Sequence, residues 1–137
     1  TIVDVTADPD PVEYCNNVTI TAEVTDHQGV EYVEFVGDWG TITDDTAPYE
    51  MEWHPPAPGT YGFTVNAYDL SDNMAFEDGT FDVEDNTDPT IDDYTVDPDP
   101  LELCNNVTIT VEASDHQGID YVEIDIEGDV LTDDTAP

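Results

Sequence analysis

Chemistry in this chain has to come from carboxylates, three histidines, two cysteines and a few amides. There are 35 Asp and Glu among 137 residues and no Lys or Arg, a formal charge of −35 at neutral pH. Carboxylates this abundant make any one pair, such as Asp44-Asp45, uninformative as an acid–base couple. His27 and His116 occupy the same turn in two related stretches, and His54 stands beside prolines. No Ser/His/Asp arrangement and no Cys/His ligand cluster stands out, so the sequence does not read as an enzyme.

Hard oxygen ligands in number suit Ca²⁺, which takes six to eight of them. If strands alternate in direction, the turns holding Asp26, Asp44, Asp45, Asp69 and Asp72 share one end of a sandwich. Five carboxylates and the Asn73 amide would then converge. In the second stretch, Asp115, Asp133 and Asp134 would face the acids Asp85 and Asp88, and a bound Ca²⁺ would stiffen that joint. The plainer reading is a solvated loop cluster, since no EF-hand loop is present.

Asn17-Val18-Thr19 and Asn106-Val107-Thr108 are N-glycosylation sequons. Cys15 and Cys104 are one cysteine per stretch, which is no disulfide framework within a domain. Equivalent points in stacked domains lie on the order of 35–40 Å apart for strands of ~10 residues. A disulfide needs Cα atoms within about 7 Å. Two readings stand: a small buried thiol, or a bond between chains or to a distant repeat.

These residues recur because the sequence repeats. Cys15-Asn16-Asn17-Val18-Thr19-Ile20-Thr21 returns as 104–110, and residues 1–48 align with 90–137 without a gap, 30 of the 48 pairs being identical. A period of 89 residues matches one small domain. The chain therefore reads as one complete unit, 1–89, and the first half of a second, 90–137.

The charge narrows the partners. Nothing here can neutralise phosphates, which excludes nucleic acid and anionic membrane surfaces. Self-repulsion is large at low salt, so a salty habitat, divalent cations or a basic partner each fits. With 38% apolar residues in alternating register the chain reads as folded. No apolar run is long enough to span a bilayer, and with no initiator Met or signal peptide the chain reads as a mature or excised piece.

The elements that must carry these groups are strands. Val18, Ile20, Ala22 and Val24 alternate with Thr19, Thr21 and Glu23. Strands follow around Val33–Phe35, 41–43, Tyr49–Trp53, Tyr61–Ala67 and Met74–Val83, after an opening strand at Ile2–Val5. Gly79 is expected to form a bulge. Val18, Ile20, Val33, Phe35, Trp53, Tyr61, Phe63 and Val65 are the expected core. Seven short strands with turn signals between them predict an all-β antiparallel sandwich.

The pattern Gly-Val-x-x-Val-Glu-Phe at 29–35, Thr-Ala-Pro-Tyr at 46–49, Trp53, Gly-Thr-Tyr at 59–61 and Ala-Tyr-Asp at 67–69 resembles the bacterial and archaeal Ig-like repeats of surface proteins. The linker at 86–91 is similar to the joints of such arrays. The resemblance implies a seven-stranded, Ig-like antiparallel sandwich in an extracellular, cell-surface stalk, adhesin, S-layer or filament; the expected partners are copies of itself, with N-linked glycans at the two sequons. The rival expectation is an adhesin module binding glycans, with Trp39 in its glycine turn as the stacking residue. The second unit has Gly128 at that place.

Overall fold

The computed structural model describes residues 1–135; Ala136 and Pro137, the last pair of the repeat, lie outside the described residues. The chain divides into two units, the first spanning Thr1–Asn86 and the second beginning at Thr87. Every regular element among the described residues is a strand.

The first unit has eight strands: β1 Ile2–Asp8, β2 Val12–Glu13, β3 Val18–Val24, β4 Val30–Gly37, β5 Gly40–Asp44, β6 Tyr49–Trp53, β7 Gly59–Asp69 and β8 Met74–Glu84. They form a three-stranded sheet, β1-β3-β6, and a five-stranded sheet, β2-β8-β7-β4-β5. All pairings are antiparallel except β2 with β8. This is an Ig-like sandwich.

The period of two decides the core. On β4, β7 and β8 the odd-numbered residues face inward, so Val33, Phe35, Phe63, Val65, Ala67, Phe81 and Val83 are buried. On β3 and β6 the inward set is Val18, Ile20, Ala22, Tyr49 and Met51. The two-residue β2 adds Val12, fully buried. The expected core holds except at Trp53 and Tyr61, which are half-buried. Both belong to an aromatic cluster with Phe81 and Trp39. Trp53 meets Tyr61 edge-on at 5.1 Å and Trp39 at 5.0 Å between ring centres. Large rings there leave an edge in water.

Gly79 is not a bulge. The β7–β8 register runs unbroken through the Phe63–Gly79 pair. The glycine is there for space: a Cβ on Gly79 would lie 2.3 Å from the Phe63 ring. The irregularity falls at Val3, where the register of β1 slips between Ile2 and Asp4 and leaves Val3 exposed.

The second unit has β9 Thr90–Asp97, β10 Thr108–Ser114, β11 Val122–Ile126 and β12 Asp129–Asp133. β9 pairs with β10, and β11 with β12, as two separate ribbons. The same register slip recurs at Asp92, the copy of Val3. No described residue of this unit is buried. Leu101, the copy of Val12, is 47% exposed, because no strand equivalent to β8 covers it.

Candidate functional site

The turn carboxylates that could bind a cation are placed by the strand ends. β3 ends beside Asp26, β5 ends at Asp44 and β7 ends at Asp69. Val30 of β4 pairs with Asp69, Val33 pairs with Asp44, and Ala22 of β3 pairs with Tyr49. The turns with Asp26, Asp44-Asp45 and Asp69/Asp72 therefore share the end of the sandwich that carries Thr1.

Sharing an end does not bring their oxygens together. Asp26 Oδ1 accepts from the Gln28 N–H at 2.8 Å. Asp44 accepts from the Thr46 N–H at 3.0 Å and the Glu50 N–H at 2.9 Å, one oxygen to each. Asp45 accepts from the Thr46 hydroxyl. Asp69 is the most heavily used: Ser71 N–H, Asn73 N–H and the Asn73 side-chain amide all donate to it, at 2.7–2.9 Å. These bonds, the Asn73 amide foremost, hold its carboxyl below the usual carboxylate range. Asp72 takes a left-handed φ of 62° at the tip of that turn.

Asp26, Asp44 and Asp69 thus close their own turns, which is what short carboxylate side chains do at strand ends. Asp26 and Asp69 line one small cleft of about 210 Å³ with Asn73, and the Ser71 hydroxyl donates to Gln28 Oε1 at 3.2 Å, joining the two turns. Asp44, Asp45 and Asp72 do not line it. Among the described residues no group of three or more His, Cys, Asp or Glu comes together as a metal cage. The five carboxylates are thus not gathered into one such group among the described residues.

The second unit repeats the same turn chemistry. Asp115 accepts from the Gln117 N–H, as Asp26 does from Gln28. Asp133 accepts from the Thr135 N–H and hydroxyl, which hold its carboxyl low. Asp133 and Asp134 border an open groove of about 690 Å³ between the two ribbons. Asp85 falls in the first unit and Asp88 in the second.

The other predicted residues separate by surroundings. Cys15 and Cys104 are both exposed free thiols, so the buried-thiol reading does not hold. Both sit in the same tight turn, at φ near 70°, closed by Asn16 N–H to Glu13 O and by its copy Asn105 N–H to Glu102 O. Asn17 is exposed but engaged. Its amide nitrogen donates to Glu52 Oε1, and its Oδ1 lies 3.0 Å from His54 Nδ1. Asn106 is exposed. His27 and His116 are exposed turn residues.

Trp39 is not presented as an open sugar-stacking ring. Its indole N–H donates to Phe35 O at 3.1 Å, and the ring packs on Trp53 and Phe63 against the core. The ring also lies over Gly37, where a Cβ would meet it at 2.7 Å.

One surface was missed at the level of sequence. The outer face of the five-stranded sheet carries Tyr32, Tyr68, Met74 and Phe76. Residue parity could have found it: the inward residues of β4, β7 and β8 are odd-numbered, so these even-numbered apolar residues must point outward.

Residues 3–65 match the family described as the bacterial Ig domain. That stretch is similar to a bacterial Ig domain. Among solved structures the chain is similar to one described as "Structures of Clostridium thermocellum CbhA fibronectin(III)-like modules". They share 22% identity over 98% of this chain and 75% of that one, with a TM-score of 0.54. At that identity the likeness is one of fold. No curated protein matches the chain.

Proposed function

We propose that this Ig-like domain is a structural module of an extracellular filament, S-layer or long surface stalk, repeated in tandem and without catalytic activity. The observation that carries this reading is the ungapped 89-residue repeat. A binding specificity needs one copy of a site, whereas a spacer gains length with each copy. The repeat also preserves the parts that shape a unit, not an isolated site. The Asp26, Asp44 and Cys15 turns have their counterparts at Asp115, Asp133 and Cys104, while Trp39 does not.

In this reading copies of the unit are its main partners, and Cys15 and Cys104, exposed at a turn, are available for bonds between chains. Asn17 and Asn106 carry N-linked glycans. Cations, Ca²⁺ among them, act as counter-charge to a surface that has no Lys or Arg, not as ligands in a preformed cage. Electron microscopy of native material tests the proposal. The expected image is a beaded thread or ordered lattice with about one bead per ~35–40 Å, the reach of an 11-residue strand such as β7. Isolated single particles with neither repeat nor lattice would overturn it. The adhesin reading is favoured only if glycan binding is found and is lost on substituting an exposed aromatic residue.

A further inference from the structure

The outer face of the five-stranded sheet changes character along its length. Toward one end its cross-strand rungs are polar and self-satisfied: the Thr64 hydroxyl donates to Asp78 at 2.7 Å and the Thr60 hydroxyl to Asp82 at 2.6 Å. Toward the other end the rungs are apolar. Tyr32, Tyr68 and Met74 are direct neighbours across β4, β7 and β8. Phe76 stands in the next rung, opposite Asn66 and, beyond it, Glu34. Phe76 is 62% exposed and Met74 54%.

This patch breaks the alternation that builds the rest of the sandwich. An outward Phe and Met beside two tyrosines costs solubility and adds nothing to the core on the opposite face. Exposed apolar surface gathered in one place marks an interaction site more often than scattered residues do. The tyrosines are also held in place. Their rings stack at 4.6 Å between centres with 23° between planes. Partial desolvation, then the negative field of Glu34, pushes both phenols above their ordinary range. Glu31 and Asp72 add to that field at Tyr32.

Charge selects the occupant of this patch. Here a second copy of this chain would bring another large negative charge and no Lys or Arg, and an anionic surface is repelled in the same way. No Lys or Arg of the chain itself can fold over the rings. Ring faces flanked by carboxylates bind guanidinium and ammonium groups: the ring quadrupole and the carboxylates both attract the cation, and the flat aromatic surface accepts its alkyl stem. We propose that the patch formed by Tyr32, Tyr68, Met74 and Phe76 docks an arginine- and lysine-bearing polypeptide segment. The proposal goes beyond the structural role and stands whether or not the array exists.

The test is calorimetric titration of the full chain, at about 0.1 M salt, with a synthetic peptide of alternating Arg and Ser. The wild-type chain binds it. Phe76→Ser, at a side chain already in water, weakens binding several-fold, and Tyr68→Ser with Phe76→Ser weakens it roughly tenfold or more, the net charge being unchanged. Asp4→Asn with Glu23→Gln, on the other sheet, changes it less than about twofold. If the aromatic variants bind as the wild type does, or lose no more than the Asp4/Glu23 control, binding is diffuse attraction to an acidic surface and the proposal falls. It falls equally if sedimentation shows a wild-type dimer that Phe76→Ser disperses, or if neutral oligosaccharides bind at these residues and the Arg/Ser peptide does not.

Discussion

Gly79→Ala adds one methyl group at the most crowded glycine of the first unit. The new Cβ would lie 2.3 Å from Phe63 Cζ and 2.8–2.9 Å from both Cε atoms. Ordinary carbon contacts are about 3.5–4.0 Å, so the ring or the strand must yield by more than about 1 Å. The ring has little room to move. Phe63 is 6% exposed and packs against Phe81 and Trp39 at ring distances of 6.2 and 6.4 Å. Forcing a methyl into such a core costs roughly 1–3 kcal/mol. Against this, Ala loses less backbone entropy than Gly, which returns about 0.5–1 kcal/mol. Taking the middle of both ranges, the expected net loss is about 1 kcal/mol, and at about 4–8 °C per kcal/mol for a domain of this size the Tm falls by roughly 4–8 °C. Both tryptophans, Trp39 and Trp53, lie in the first unit, so tryptophan fluorescence during heating reports this unit alone. Phe63→Leu removes the atoms that clash. The Gly79→Ala/Phe63→Leu double variant should therefore lose less than the sum of the single losses, with a coupling of about 0.5 kcal/mol or more. A Gly79→Ala Tm equal to or above the wild type, or strictly additive losses, would refute the reasoning.

Four further outcomes are expected. Asp69 titrates below the ordinary carboxylate value of 3.8, mainly through the Asn73 side-chain amide. Because the folded value is the lower one, its contribution to stability is present above the unfolded value and disappears as pH falls through the folded one. In Asn73→Ala the Asp69 midpoint, followed by carbon NMR, should move back up; an unmoved midpoint removes the account. In the second unit β10 has a partner on one side only, whereas β3 has one on both, so amide exchange along Val107–Ser114 should be far faster than along Val18–Val24. Equal protection would show that the second unit has cover that its strands do not supply. Chelator should leave the melting temperature unchanged once monovalent salt is raised to screen the acids; a drop that salt cannot rescue would reveal a specific cation cage. Finally, Asn17 holds Glu52 and His54, so occupancy of its sequon after folding should rise in Glu52→Ala, and glycopeptide mass spectrometry showing no difference would count against that engagement.

Period two on β3, β6 and β7 was enough to give the strands and most of the core, since a side chain on a strand has only two faces to choose between. The repeat is visible in the turns as well as in the sequence, since the Asp26 to Gln28 bond returns as Asp115 to Gln117. The fold class followed from short strands with turns between them. Local sequence could not say how far apart two turns at one end would stand, and that decided the acids. Asp26, Asp44 and Asp69 share one end, but each is held by the N–H groups of its own turn and they do not gather into one group among the described residues. Nor could it distinguish a glycine that bends a strand from one that makes room. Gly79 is settled by the Phe63 ring across the pair, a contact 16 residues away in the chain. Trp39 reads as an open turn residue until the sheets close and its N–H finds Phe35 O. The Tyr32, Tyr68, Met74 and Phe76 patch lay in the sequence as parity, but it became one surface only when β4, β7 and β8 paired in register. Pattern along a strand is local physics; which strands lie side by side is set by the packing of the whole unit.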